Sequence, residues 1–228
     1  MKSAGTFFNE FSKEYEEQGR FELLFYRWMI KNIIRQIDKE KSKILDIGTG
    51  TGELAIKIAI KFPKSKVIGN DISEGMINEA MVKVNRMGIK NIKFIVSPVE
   101  RLEVDRIDFA VSSVAFHHIK NKEYVISKIC HALPKRGKLI IGDWFKPSKE
   151  YKREIEKLRI KNLERAKDFD ESWRQFLKRM GKEYTKTHPK EYPICPNDLK
   201  ELMKKVGFKK QRIIKSLLPN FSVVIGEK

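Results

Sequence analysis

Lys43-Ile44-Leu45-Asp46-Ile47-Gly48-Thr49-Gly50-Thr51-Gly52-Glu53-Leu54-Ala55 is the stretch that decides the fold. An apolar run carrying one acid is followed by three glycines at alternate positions, and good helix formers come next. That pattern reads as a strand, a tight turn and the start of a helix. Glycine admits positive φ and lets a ligand come close to the backbone, while the first turn of a helix offers unsatisfied N–H groups. The loop is built to hold something. A dinucleotide fingerprint needs glycines at its first, third and sixth positions, whereas here they fall at the first, third and fifth, with Glu53 sixth. Asp46, two residues before the first glycine, would repel a phosphate and suits a cationic partner.

Working outward, Lys66-Val67-Ile68-Gly69-Asn70-Asp71-Ile72 reads as a second strand ending in an acid. Asp71 lies roughly 20 residues beyond the loop, the separation at which a carboxylate reaches a ribose. Strand and helix then alternate, the pattern of a parallel sheet covered on both faces. Strands are expected at 43–47, 66–70, 93–97, 108–115 and 138–143, and helices at 52–62, 73–87 and 121–133. Ser73 is placed to cap the second of these helices; Pro63, Gly88 and Pro134 with Gly137 mark the ends. Before the core, Phe7, Phe8, Phe11 and Tyr15 recur at helical spacing. Phe21, Leu24, Phe25, Trp28, Met29 and Ile33 form a second apolar face, with Gly19 between the two. After Asp143, residues 147–190 are rich in charge and carry Tyr151, Ile155, Leu158, Leu163, Trp173, Phe176, Leu177 and Met180 at helical spacing, which predicts a helical insertion above the carboxyl ends of the strands. Pro189, Pro193 and Pro196 mark an extended return, Asn197 caps a helix to Val206 ended by Gly207, and residues 208–218 and 221–226 read as two closing strands.

Asp46-x-Gly48-x-Gly50-x-Gly52 with Asp71 resembles the signature of class I S-adenosylmethionine-dependent methyltransferases. The resemblance implies an α/β, Rossmann-like sheet of seven mostly parallel strands, the last two forming an antiparallel hairpin at one edge. It divides a single 1–228 domain into an N-terminal helical lid (1–40), a cofactor-binding core (41–146), a helical substrate cap (147–196), and a last helix with the strand hairpin (197–228). It also implies that Asp46, Gly48, Thr49, Gly50 and Gly52 cradle the amino-acid end of S-adenosyl-L-methionine, with S-adenosyl-L-homocysteine as product. Asp71 would take the ribose hydroxyls, Ile72 and Met76 would cover adenine, Ser113 would line the cofactor, and Tyr15 would be the lid residue nearest to it. In the run Ser97-Pro98-Val99-Glu100, Pro98 stands where the family offers an acid or amide to adenine. The ring is then expected to be held beside Ser97 by the Val99 backbone and apolar packing.

Ser112-Ser113-Val114-Ala115-Phe116-His117-His118-Ile119 resembles the segment after the fourth strand in the ubiquinone and menaquinone biosynthesis type of these enzymes and their small-molecule relatives. Methyl transfer is an in-line displacement to which a base is added when the acceptor must lose a proton, and histidine titrates in the useful range. His117 and His118 are the candidates. Adjacent side chains point apart, so one at most faces the acceptor, and His117 is preferred. The Asn-Pro-Pro-aromatic signature of enzymes acting on exocyclic base amines is missing, and Cys195-Pro196 reverses the Pro-Cys order of the cytosine C5 class.

The 228 residues, 41% hydrophobic, are enough for a full core. With 48 Lys+Arg against 30 Asp+Glu the formal charge is +18, which would attract RNA, DNA or anionic lipid. A heat-adapted surface is the competing explanation, although it predicts balanced charge. The polar N-terminus and the lack of a long apolar run predict a cytoplasmic protein without a membrane span. Cys130 and Cys195 make neither a zinc motif nor a disulfide framework. His117, His118 and Asp143 lack the spacing of a metal site, and none is expected; His131 and His188 receive no role. Three functions are open: a small-molecule methyltransferase, a tRNA or rRNA methyltransferase using the basic surface, and a non-catalytic binding protein of the same fold. Neither the acceptor nor the oligomeric state is fixed by the residues.

Overall fold

The computed structural model describes residues 3–17 and 23–228, with side chains throughout those ranges except at 16–17 and 179–187. Gly19 and Phe21, and the side chain of Met180, lie outside the described residues. Seven strands, β1 (Lys43–Ile47), β2 (Lys66–Asp71), β3 (Ile92–Val96), β4 (Phe109–Ser113), β5 (Lys138–Trp144), β6 (Lys210–Lys215) and β7 (Phe221–Glu227), form one sheet in the order β3-β2-β1-β4-β5-β7-β6. The first five are parallel; β7 runs antiparallel to both β5 and β6, as the closing hairpin requires. The order reverses between β1 and β4, and a crevice opens at such a switch point beyond the carboxyl ends of the strands. The glycine loop after β1 lies at that opening.

Helices α1 (Ala4–Glu17), α2 (Leu24–Ile34), α3 (Glu53–Lys61), α4 (Glu74–Met87), α5 (Lys122–Ala132), α6 (Lys149–Ile160), α7 (Leu163–Thr187) and α8 (Pro196–Lys205) complete the described elements. Side chains alternate across a strand, so each strand feeds two cores. Ile44, Val111 and Ile140 join Met29 and Ile33 of α2 and Ile58 of α3 on one face. Leu45, Ala110 and Ile141 join Ile126 and Ile129 of α5 and Met203 of α8 on the other.

Several boundaries follow local chemistry. Ser73 Oγ accepts the Met76 N–H at 3.1 Å to start α4, and Gly88 takes the left-handed conformation that ends it. β4 stops at Ser113, short of the expected 115, because Val114 has φ +53° and cannot continue a strand. α8 corrects another expectation: its cap is Cys195 and not Asn197, with Pro196 in the first turn. There the missing N–H of proline costs nothing and its fixed φ suits the helix. The insertion forms α6 and α7, and α7 packs on α2 and β7. Trp173 stacks on Phe176 at 5.0 Å between ring centres and meets Phe25 and Phe221, while Ser172 Oγ accepts the Leu24 N–H at 2.9 Å. Among the described residues no helix is long and apolar enough to cross a membrane.

Ile33 of α2 is wholly buried against the sheet. Ile33→Ala is expected to lower unfolding free energy by about 2–5 kcal/mol, read from urea denaturation midpoints at unchanged slope. A loss below about 0.5 kcal/mol would mean that this contact is not closely packed.

Candidate active site

Beyond the ends of β1, β2 and β4 lies a cavity walled by the glycine loop, by Asp71, Ile72 and Met76, by the Ser97–Val99 run, and by Ser113 and His118. Asp46, Gly48, Thr49 and Gly50 line it directly, and Tyr15 closes it from α1 together with Phe8. Of the candidate cofactor-binding and catalytic residues, Gly52 and His117 are the two that do not line it. Gly52 instead caps α3 at φ +82°, turning the chain from loop to helix.

Gly48, at φ +65°, passes so near β4 that a Cβ placed there would stand 2.3 Å from the Cβ of Ala115. Gly50, at φ +53°, has open space on the same side of its backbone. Its N–H donates to Asp71 Oδ2 at 2.8 Å, and the Ser73 N–H donates to Asp71 Oδ1 at 2.9 Å. Burial raises the pKa of the Asp71 carboxyl, and these backbone donors oppose that rise. Asp46 accepts the Thr49 hydroxyl on Oδ2 at 2.7 Å, while its Oδ1 is buried without a hydrogen-bond partner. Burial pushes its pKa up to about 7; the Thr49 bond opposes the shift and the nearby Asp71 charge adds to it. A desolvated carboxylate with an idle oxygen is placed to receive a cation.

On the other wall the chain leaves β4 through Val114 and makes one tight turn over Phe116–His118. This turn sets the two imidazoles side by side, ring centroids 4.1 Å apart, but gives them different partners. His117, 6% exposed, shares its Nδ1 proton with Asp143 Oδ1 at 2.7 Å, and its backbone N–H donates to Asp143 Oδ2 at the same distance. Burial works against its charge, but the charge and hydrogen bond of Asp143, helped by Glu191, prevail and raise its pKa. His118 faces the cavity. Its pKa is driven down to about 2, by burial first and then by His117 and His188, and its Nδ1 has no hydrogen-bond partner. Of the two candidates, His117, the one preferred from the sequence, is engaged with Asp143, and His118 lines the cavity.

Other participants were not foreseen. Asn9 of α1 accepts the Ser73 hydroxyl at 2.7 Å and the Gly75 N–H at 3.0 Å, docking α1 on the start of α4. Tyr26 of α2 joins the cavity wall. His188 and Glu191, from the stretch leading back from α7, reach the two histidines. Among the described side chains of α6 and α7, none lines the cavity. The helices expected to cap the substrate lean on α2 and β7, and the part of the insertion that approaches the site is this return stretch.

A family profile described as a methyltransferase domain matches residues 38–192, more than half of the chain. The chain belongs to this methyltransferase family. A malonyl-[acyl-carrier protein] O-methyltransferase of Priestia megaterium is 28% identical over 136 residues, covering 59% of this chain and 48% of that protein. A demethylmenaquinone methyltransferase of Lactococcus lactis subsp. lactis is 25% identical over 209 residues, covering 88% and 80%. The methyltransferase chain thus spans about half the length of the first relative and most of the second. A structure titled as a SAM-dependent methyltransferase from Aquifex aeolicus superposes with a TM-score of 0.63 at 19% identity, covering 95% of this chain and 97% of its own, which shows the shared fold.

The two glycines of the loop separate by substitution. Gly48→Ala is expected to cost several kcal/mol, since a left-handed alanine already costs about 1–2 kcal/mol and Ala115 must also move. Gly50→Ala is expected to cost only about 1–2 kcal/mol. Thermal melts of the two variants check the difference, and equal losses would contradict the packing against Ala115.

Proposed function

We propose that this protein is an S-adenosylmethionine-dependent methyltransferase acting on a small-molecule acceptor. One observation carries the reading. Among the described residues, three buried side-chain polar atoms lack a hydrogen-bond partner, Asp46 Oδ1, Ser113 Oγ and His118 Nδ1, and all three belong to residues that wall the same cavity. Buried polar atoms are almost always paired, so three orphans around one cavity mark where a ligand completes the hydrogen bonding.

The donor set fits the cofactor. S-adenosylmethionine supplies a methyl group on a sulfonium that leaves as a neutral thioether, so the acceptor gains CH3 and gives up a proton. Asp46 would meet the ammonium of the amino-acid end, beside Gly48 and Gly50. Asp71 would take the ribose, and Ile72, Met76 and Val99 offer apolar walls for adenine. Phe8, Tyr15 and Tyr26 exclude water from the opposite side, which strengthens each polar contact inside. No lysine or arginine is needed to bind such a cation, and none of the described cavity residues is one. Two relatives are named as methyltransferases, of a carrier-bound malonyl group and of demethylmenaquinone.

The electrostatics of Asp46 provide the test. A carboxyl with a pKa near 7 is largely protonated below that pH, and a bound cation favours its ionised form. Binding therefore releases a proton, and affinity rises up to about tenfold per pH unit until it levels off above 7. Calorimetric titration with S-adenosylmethionine and S-adenosylhomocysteine, in buffers of different ionisation enthalpy, measures both effects. Asp46→Asn is expected to abolish the proton release and weaken binding by about 1.5–3 kcal/mol. Failure of the wild type to bind either ligand would overturn the reading.

A further inference from the structure

We propose that the return stretch after α7 builds the acceptor half of the site: His188 and Glu191 hold His118 as a neutral hydrogen-bond acceptor that selects an uncharged molecule presenting an O–H or N–H donor. The inference rests on the methyltransferase reading above and extends it to the chemistry of the acceptor.

The geometry is a row of three tilted imidazoles with two carboxylates beside it. The His118 ring lies between His117, with centroids 4.1 Å apart, and His188, at 5.1 Å. Glu191 Oε1 accepts from His188 Nδ1 at 3.1 Å and approaches His117 Nε2 at 3.9 Å. Asp143 holds the far side of His117 at 2.7 Å. The Tyr192 N–H donates to the His117 carbonyl at 2.7 Å, tying the return stretch to the turn that carries both histidines.

The charges around His118 decide its state. His117, from its own turn, has its charged form favoured by Asp143 of β5 and Glu191. Lys122 of α5 adds a second cation nearby, and its amine donates to the Ile119 carbonyl. His188 from the return stretch and Phe8 of α1 close the remaining sides, the latter at 5.4 Å. A proton added to His118 would meet like charge and no carboxylate. The imidazole keeps one N–H, engaged with the Lys190 backbone, and one lone pair on the unpartnered Nδ1. A buried lone pair of this kind recognises a donor and rejects a group that only accepts.

Acceptor charge is selected as well. The chain has 48 Lys+Arg, yet none of the described cavity residues is a lysine or arginine, and His117 already faces two carboxylates. An anionic acceptor would be buried unpaired, and a cationic one would face His117 and Lys122. The neighbouring walls, Phe8, Tyr26, Val114 and Ile119, suit an apolar or aromatic body.

The test uses the full chain labelled with nitrogen-15, saturated with S-adenosylhomocysteine and titrated with phenol, an uncharged donor, or with benzoate. Histidine ring signals are assigned from single His→Gln variants, with the exposed His131 as internal control. Phenol is expected to shift the bare His118 nitrogen upfield at a concentration at least tenfold below any benzoate effect. Glu191→Gln is expected to lower the titration midpoint of His117 and weaken the phenol response about tenfold, with Glu191→Asp restoring much of both. A His118 nitrogen unmoved by phenol, or moved equally by benzoate, would overturn the inference, as would a Glu191→Gln variant with unchanged response. Shifts of the Gly48 and Gly50 amides report cofactor-product binding separately. Their absence would overturn the methyltransferase reading and this inference with it, whereas their presence beside a silent His118 would defeat the inference alone.

Discussion

Two neighbouring carboxylates, one buried and one half-buried, on a cavity whose described wall holds no lysine or arginine, set the terms for this molecule. Asp46 lies near the end of β1 and Asp71 ends the adjacent β2; each is desolvated, and the Asp71 charge raises the cost of ionising Asp46. What makes them tolerable is main chain. Gly50 and Ser73 give their N–H groups to Asp71, and the Thr49 hydroxyl serves Asp46. Those donors exist because the loop turns sharply through left-handed glycines, and the loop can turn there because Gly48 lies against Ala115 with no side chain between them. The strand order, the switch point and the glycine pattern all serve to place two uncomfortable acids at the mouth of one cavity.

The core of this arrangement was legible in the sequence because its causes are local. Apolar runs ending in acids, glycines at alternate positions, Ser73 ahead of a helix and Gly88 behind it each express a backbone requirement within a few residues. The seven-stranded sheet and most of the cavity wall follow from them. Side-chain direction after a strained turn was not legible: Val114, a β-branched residue at positive φ, leads into the turn that engages His117 with Asp143 and leaves His118 lining the cavity. Nor could periodicity say which surface an amphipathic helix seeks. The aromatic face of α7, read as a substrate cap, finds its partners in Phe25, Trp144 and Phe221. His188 and Glu191 are some 70 residues from the histidines they touch, and nothing near them in the chain announces that meeting. Asn197 was favoured as a cap by residue type, but Pro196 beside it had already begun the helix.

Charge is distributed with a sharp contrast between outside and inside. An excess of 18 positive charges belongs to the chain as a whole, while the described cavity wall carries acids and no lysine or arginine. Long-range attraction and close-range recognition are thus governed by opposite signs. Net charge speaks to solubility and encounter, and the site has its own potential set by burial.

The turn after β4 works as an index mark for the chain. Three residues, entered through a backbone conformation that costs on the order of 1–3 kcal/mol, hand one imidazole to a carboxylate and its neighbour to the cavity. Gaining or losing a single residue there would break this division between the two rings. Phe116, the first residue of the turn, is itself buried in the core shared by β4 and α5, so packing and electrostatics together set the length of this connection.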